Sequence, residues 1–115
     1  MADHFDRQTV MFRQGDILLV AVPEAPEGTR ARPKHGRLIL AEGEVTGHHH
    51  SVTCEAGELI EGVVVDGVPQ VFLRLFETTT LDHQEHGSIT LPPGDYRVGR
   101  QREYQPGELP RQVAD

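Results

Sequence analysis

Five of the seven histidines in this 115-residue chain fall in two short groups, Gly47-His48-His49-His50-Ser51 and Leu81-Asp82-His83-Gln84-Glu85-His86-Gly87. A neutral imidazole presents a lone pair to a first-row transition ion and is the commonest protein ligand for one. On an extended strand alternate side chains share a face, so His48 and His50 project together as a two-armed chelator while His49 points away. His83 and His86 are three apart and cannot share a strand face, so a turn, a bulge or a single helical turn must bring them together. Asp82 and Glu85 stand close enough to brace an imidazole or to ligate directly. The expected chemistry is binding of a divalent transition metal by His48 and His50 with one or both of His83 and His86. These residue types do not distinguish zinc, iron, manganese and nickel. With an open coordination position, such an ion would act as a Lewis acid or activate water or dioxygen against a small organic molecule. The competing reading is a noncatalytic binding or assembly module in which the histidines are structural and the tail or last strand docks a partner.

Two such segments meet only if neighbouring strands carry them. Asp16–Val22 is rich in β formers, follows the turn signal Gln14-Gly15 and is ended by Pro23. Residues 24–35 hold two prolines and several charges and read as a surface loop. Apolar runs resume at 37–41, and 48–54 is extended through the first histidine group. Residues 58–65 and 71–76 flank Asp66-Gly67, a dipeptide suited to a tight hairpin, with Pro69 forcing the second strand to start late or on an edge. Residues 88–91 form a short strand, Pro92-Pro93-Gly94-Asp95 a turn, and 96–104 a final strand. No window carries a long amphipathic helix. The expectation is a single all-β domain over 1–115, a small barrel or sandwich of about seven or eight short, mostly antiparallel strands. Residues 1–13 and 105–115 are expected to be loose or docking segments.

Composition narrows the function classes. A formal charge of −7 argues against a nonspecific nucleic-acid binder and against docking to an anionic membrane. No stretch is long and apolar enough to span a bilayer, and the first residues lack the basic-then-apolar order of a signal peptide. The single Cys54 cannot form an internal disulfide and fits a reducing compartment, so a cytoplasmic address is expected. Cys54 and Ser51 lie beside the histidines but lack any flanking nucleophile motif, and Cys54 reads as a small core residue. Tyr96, Arg100, Arg102 and Tyr104 share parity on the last strand, a face that pairs with carboxylates of its own sheet more readily than with a ligand. An edge at Pro69 and a small core leave homodimerisation open.

The run His48-x-His50, four residues, Glu55, six residues, Gly62 resembles the first motif of the cupin superfamily, and Pro92-Pro93-Gly94-Asp95-Tyr96 is similar to the turn of its second motif. The resemblance implies a small β-barrel with His48, His50 and Glu55 as metal ligands. It departs from the cupin pattern at Arg97, which stands where the remaining ligand histidine is expected and becomes a substrate-facing candidate instead; His83 or His86 would replace that ligand. Gly15–Val20, the proline-rich loop and Gly36–Gly43 resemble the order of elements in the small co-chaperonin barrel, a fold alternative with no place for the histidines. The whole chain also resembles small bacterial or phage-associated proteins.

Overall fold

The computed structural model describes residues 10–42, 47–100 and the backbone of 112–114. Eleven strands are formed among them: β1 (Met11–Gln14), β2 (Ile17–Val22), β3 (Thr29–Arg30), β4 (Arg37–Glu42), β5 (His49–Thr53), β6 (Gly57–Val65), β7 (Val68–Leu75), β8 (Thr79–Leu81), β9 (Ile89–Leu91), β10 (Gly94–Arg100) and β11 (Gln112–Ala114). A single 3-10 turn, Cys54–Ala56, separates β5 from β6. Seven strands form one sheet in the order β11-β1-β2-β10-β7-β6-β3, antiparallel except where β11 runs parallel to β1. The pairs β4-β5 and β8-β9 lie outside it, and the reciprocal backbone bonds between Ser51 and Asp82 at 2.9 and 3.0 Å stitch them into a second, smaller layer. The expected all-β class is therefore present as an open sandwich, and the large sheet does not close into a barrel.

Alternation explains the layering. In β4, Leu38 and Leu40 are buried while Arg37, Ile39 and Ala41 face outward or are half-buried. These leucines meet Phe12, Ile17, Leu19, Leu59, Leu73, Leu75 and Tyr96 of the large sheet, and Val52, Leu81, Ile89 and Leu91 of the small layer. Burial of each such side chain contributes roughly 1.5–3 kcal/mol, so this one core holds both layers together. Phe12 and Tyr96 meet edge-on at 5.9 Å, and the Tyr96 hydroxyl donates to the Pro92 carbonyl at 2.6 Å. Burial pushes the Tyr96 phenol up to about 12.

Three expectations are sharpened here. Residues 11–13 are not loose: Met11–Gln14 pairs with Ile17–Val22 across the two-residue turn Gly15-Asp16, and Met11, Phe12 and Gln14 are buried. Positive φ at Gly15 alone (59°) suits a hairpin whose first central residue is glycine. Pro69 lies inside β7, opposite Val64, so of the two placements expected for it, a late start or an edge, the edge is found. Among the described residues β10 pairs with β7 only from Leu75 to Val71, which leaves Pro69 at the edge of the projecting β6-β7 hairpin. That hairpin turns at Asp66-Gly67 with both residues at positive φ, as anticipated, and exposes Val64, Val65 and Val68. The last expected strand, 96–104, is described as far as Arg100 and begins earlier, at Gly94. The reading of residues 105–115 falls largely outside the described residues, as do Arg102, Tyr104 and Gly43.

Candidate metal centre

Three structural pieces converge at one end of the sandwich: the tip of the β1-β2 hairpin, the start of β5, and the irregular loop from Asp82 to Ser88 between β8 and β9. Strand parity disposes of His49 as expected. His50 is 1% exposed, whereas His49 lines an adjoining surface groove. His48 stands just before the strand, after Gly47 has turned the chain. The second group reaches the same place from a loop, the irregular backbone that its spacing demanded. Gln84 clamps the groups together: its Oε1 accepts from the His49 backbone N–H at 2.9 Å, and its Nε2 donates to the Gly47 carbonyl at 3.4 Å.

The four imidazoles form one cluster. Ring centres are 4.4 Å apart for His50 and His83, 4.5 Å for His83 and His86, 5.8 Å for His48 and His83, and 6.0 Å for His50 and His86. A ring centre stands about 3.2 Å from an ion bound through one of its nitrogens at ~2.1 Å, so two rings on one ion lie about 4.5–5.2 Å apart. Two of the four separations stand at the lower edge of that range and two lie above it, so the rings are gathered together without being set around one point. The Nδ1 atoms of His48 and His86 are buried without a hydrogen-bond partner. Glu85 Oε2 lies 3.3 Å from that His48 nitrogen, but at an angle that makes no hydrogen bond. Buried nitrogens left in this way are costly to a fold unless something engages them.

His50 carries the clearest chemistry. Gln14, fully buried on β1, donates through Nε2 to the carbonyls of Leu81 and Gly87, both at 2.9 Å. Those two acceptors fix the amide orientation, so its Oε1 faces His50 Nδ1 at 2.9 Å and must accept a proton from it. The neutral tautomer is thereby assigned to Nδ1–H, leaving the Nε2 lone pair directed into the cluster. Burial above all, and then His83, lowers the pKa of His50 to about 4, although Asp16 pulls the other way. Burial followed by the nearby His86 also lowers His83. Both rings are therefore neutral at pH 7, the state in which imidazole ligates.

The other expected residues are placed as follows. Asp82 accepts from Arg37 Nη2 at 2.7 Å and from the Ser88 hydroxyl at 2.8 Å, which anchors the loop that carries His83. Glu55 is exposed on the 3-10 turn beyond the far end of β5 and is not brought to the cluster. Arg97 is likewise apart: its register partners on β10 are Val20 and Phe72, whereas Arg100, next to the hairpin tip, opposes Ile17. Spacing gave no notice of Gln14, Asp16 or Gly15. Asp16 Oδ1 is 3.7 Å from His50 Nε2. A Cβ built on Gly15 would stand 2.6 Å from His86 Nε2, so the bare backbone there seats that ring.

Among the described residues, no three His, Cys, Asp or Glu side chains are placed to hold a metal ion as they stand. At His83 the Nδ1 accepts the Glu85 backbone N–H at 3.0 Å, so that its neutral ring carries the proton on Nε2. Ligation through Nε2 requires the other tautomer and rotation about a soft side-chain torsion. Residues 13–101 match the family described as Domain of unknown function (DUF8820). The chain belongs to this family. The match runs from the end of β1 through β10 and so takes in every histidine of the cluster. Comparison with curated proteins and with solved structures returns no match.

Proposed function

We propose that this member of the DUF8820 family binds a divalent transition metal through His48, His50, His83 and His86. The observation that carries the reading is the convergence of two histidine groups, distant in sequence, into a cluster where Gln14 holds one ring as a lone-pair donor and two further buried ring nitrogens make no hydrogen bond. Asp82 and Glu85 brace the loop and the rim. A small organic molecule fits the adjoining groove of about 320 Å³ lined by Arg37, His49, Ser51, Asp82, His83 and Gln84, within the size range of small-ligand sites. The test is elemental analysis of untagged protein purified without nickel resin. Near-stoichiometric metal in the natural chain, abolished in His48→Ala/His50→Ala, is the expected result; no retained metal and no uptake on titration would refute it.

A second reading, a noncatalytic assembly module, draws on the exposed valines at the β6-β7 hairpin tip. It predicts a concentration-dependent size-exclusion mass that Val64→Thr/Val68→Thr reduces to that of a monomer.

A further inference from the structure

The hairpin tip places two lone pairs against each other. His50 Nε2 is the unprotonated nitrogen of its ring, because Gln14 takes the Nδ1 proton, and the atom it faces is the Oδ1 of Asp16 at 3.7 Å. That separation is too long for a hydrogen bond, and neither atom brings a proton to it. A carboxylate oxygen and an imidazole lone pair this close call for a group between them that serves both, either a water donating to each or a cation bound by each. The distance is also informative: two donor atoms on one tetrahedral ion with bonds of ~2.1 Å stand about 3.4 Å apart. The other oxygen of the same carboxylate accepts from Arg100 Nη1 at 3.0 Å, which orients Asp16 with Oδ1 turned toward the histidines. We propose that Asp16 is the oxygen ligand of the metal site, joined to His50 Nε2 on one ion and completed by nitrogens of the neighbouring histidines.

This rests on the metal reading above and refines its ligand chemistry. The carboxylate role that the histidine spacing suggested for Glu55 passes to a residue of the β1-β2 turn. A set of imidazoles with one anionic oxygen suits a borderline divalent ion such as zinc, cobalt, iron or manganese, and disfavours the soft monovalent copper that thiolate sites select. Asp16 is half exposed at the turn, so the ion would sit near the surface, in reach of an external ligand.

The experiment titrates untagged, chelator-stripped full-length protein with Co²⁺, reading visible absorption for donor set and coordination and chelator competition for affinity. Asp16→Asn keeps the shape and the turn while removing the anionic oxygen; Asp16→Glu, His50→Ala and Glu55→Gln, a carboxylate away from the cluster, are run beside it, with circular dichroism to check folding. The expected result is one ion per chain, a loss of at least tenfold in affinity with a changed spectrum in D16N, partial recovery in D16E, and little change in E55Q. A natural chain that binds Co²⁺ and loses it in H50A, with D16N matching the natural protein in affinity and spectrum, overturns the assignment of Asp16 and leaves the histidine site standing. A natural chain that binds no Co²⁺ at micromolar concentrations overturns both.

Discussion

Replacing Gln14 by Met is the most exacting perturbation of the reasoning. Methionine nearly matches the volume of glutamine, so the change removes hydrogen bonds without opening a cavity. Three bonds disappear together: the amide no longer accepts from His50 Nδ1–H or donates to the carbonyls of Leu81 and Gly87. The ring N–H is left without a partner in a residue that is 1% exposed, a penalty of about 1–3 kcal/mol. The carbonyls keep a second lone pair, and Gly87 is exposed, so each adds only about 0.5–1 kcal/mol. The sum is about 3 kcal/mol. With a urea slope of roughly 1–3 kcal/mol per molar for a small domain, the unfolding midpoint falls by about 1–3 M. Urea unfolding at pH 7.5 with a chelator present measures this without any contribution from bound metal. An unchanged slope with a midpoint shift below about 0.3 M would mean that the amide carries no net stability, and the argument for a fixed His50 tautomer would fall with it.

Two further outcomes follow from the same site. The folded state holds the His50 pKa at about 4 against 6.5 in the unfolded chain, so the unfolded chain binds the proton first as pH falls. Stability is therefore full above about pH 6.5 and declines toward pH 4 by up to roughly 3 kcal/mol; urea midpoints across that range should show the fall, and His50→Gln should flatten it. Gly15→Ala places a methyl 2.6 Å from His86 Nε2 at a φ of 59°, which strains the turn by about 1–2 kcal/mol and displaces the ring. Gly15→Asn tolerates that φ better but still carries a Cβ. Thermal unfolding should thus recover in part in the Asn variant, while Co²⁺ affinity stays low in both.

The histidines could be found from spacing because chelation is a short-range pattern and strand parity a strict one. His50 inward, His49 outward and an irregular backbone at 83–86 all follow from a two-residue period. The partners could not be found that way. Gln14 has no distinctive chemistry of its own, and its importance arises only when a hairpin carries it beneath Leu81 and Gly87. A signal was nevertheless present: Met11-Phe12 and Ile17–Val22 flank Gly15-Asp16 at hairpin spacing, and Gln14 shares inward parity with Phe12. Glu55 drew attention through its distance from His50 along the chain, but the turn at Cys54–Ala56 ends the strand and leaves its side chain exposed. An open sandwich and a closed barrel share the same strand lengths and alternation; what separates them is the pairing at the sheet edges, which a single chain's pattern does not encode.

Gln14 also ties the chain to itself across 36, 67 and 73 residues through its bonds to His50, Leu81 and Gly87. Contacts that span so much of a chain form only after most of the loop entropy has been lost, and belong to the last stage of folding. The amide would then act as a latch that closes after the two layers have docked. Substitution at Gln14 should accelerate unfolding by nearly the full equilibrium effect while leaving the refolding rate almost unchanged, as chevron kinetics of the Met variant can read directly. A metal competent to report on the cluster would accordingly report on the completed fold and not on its precursors.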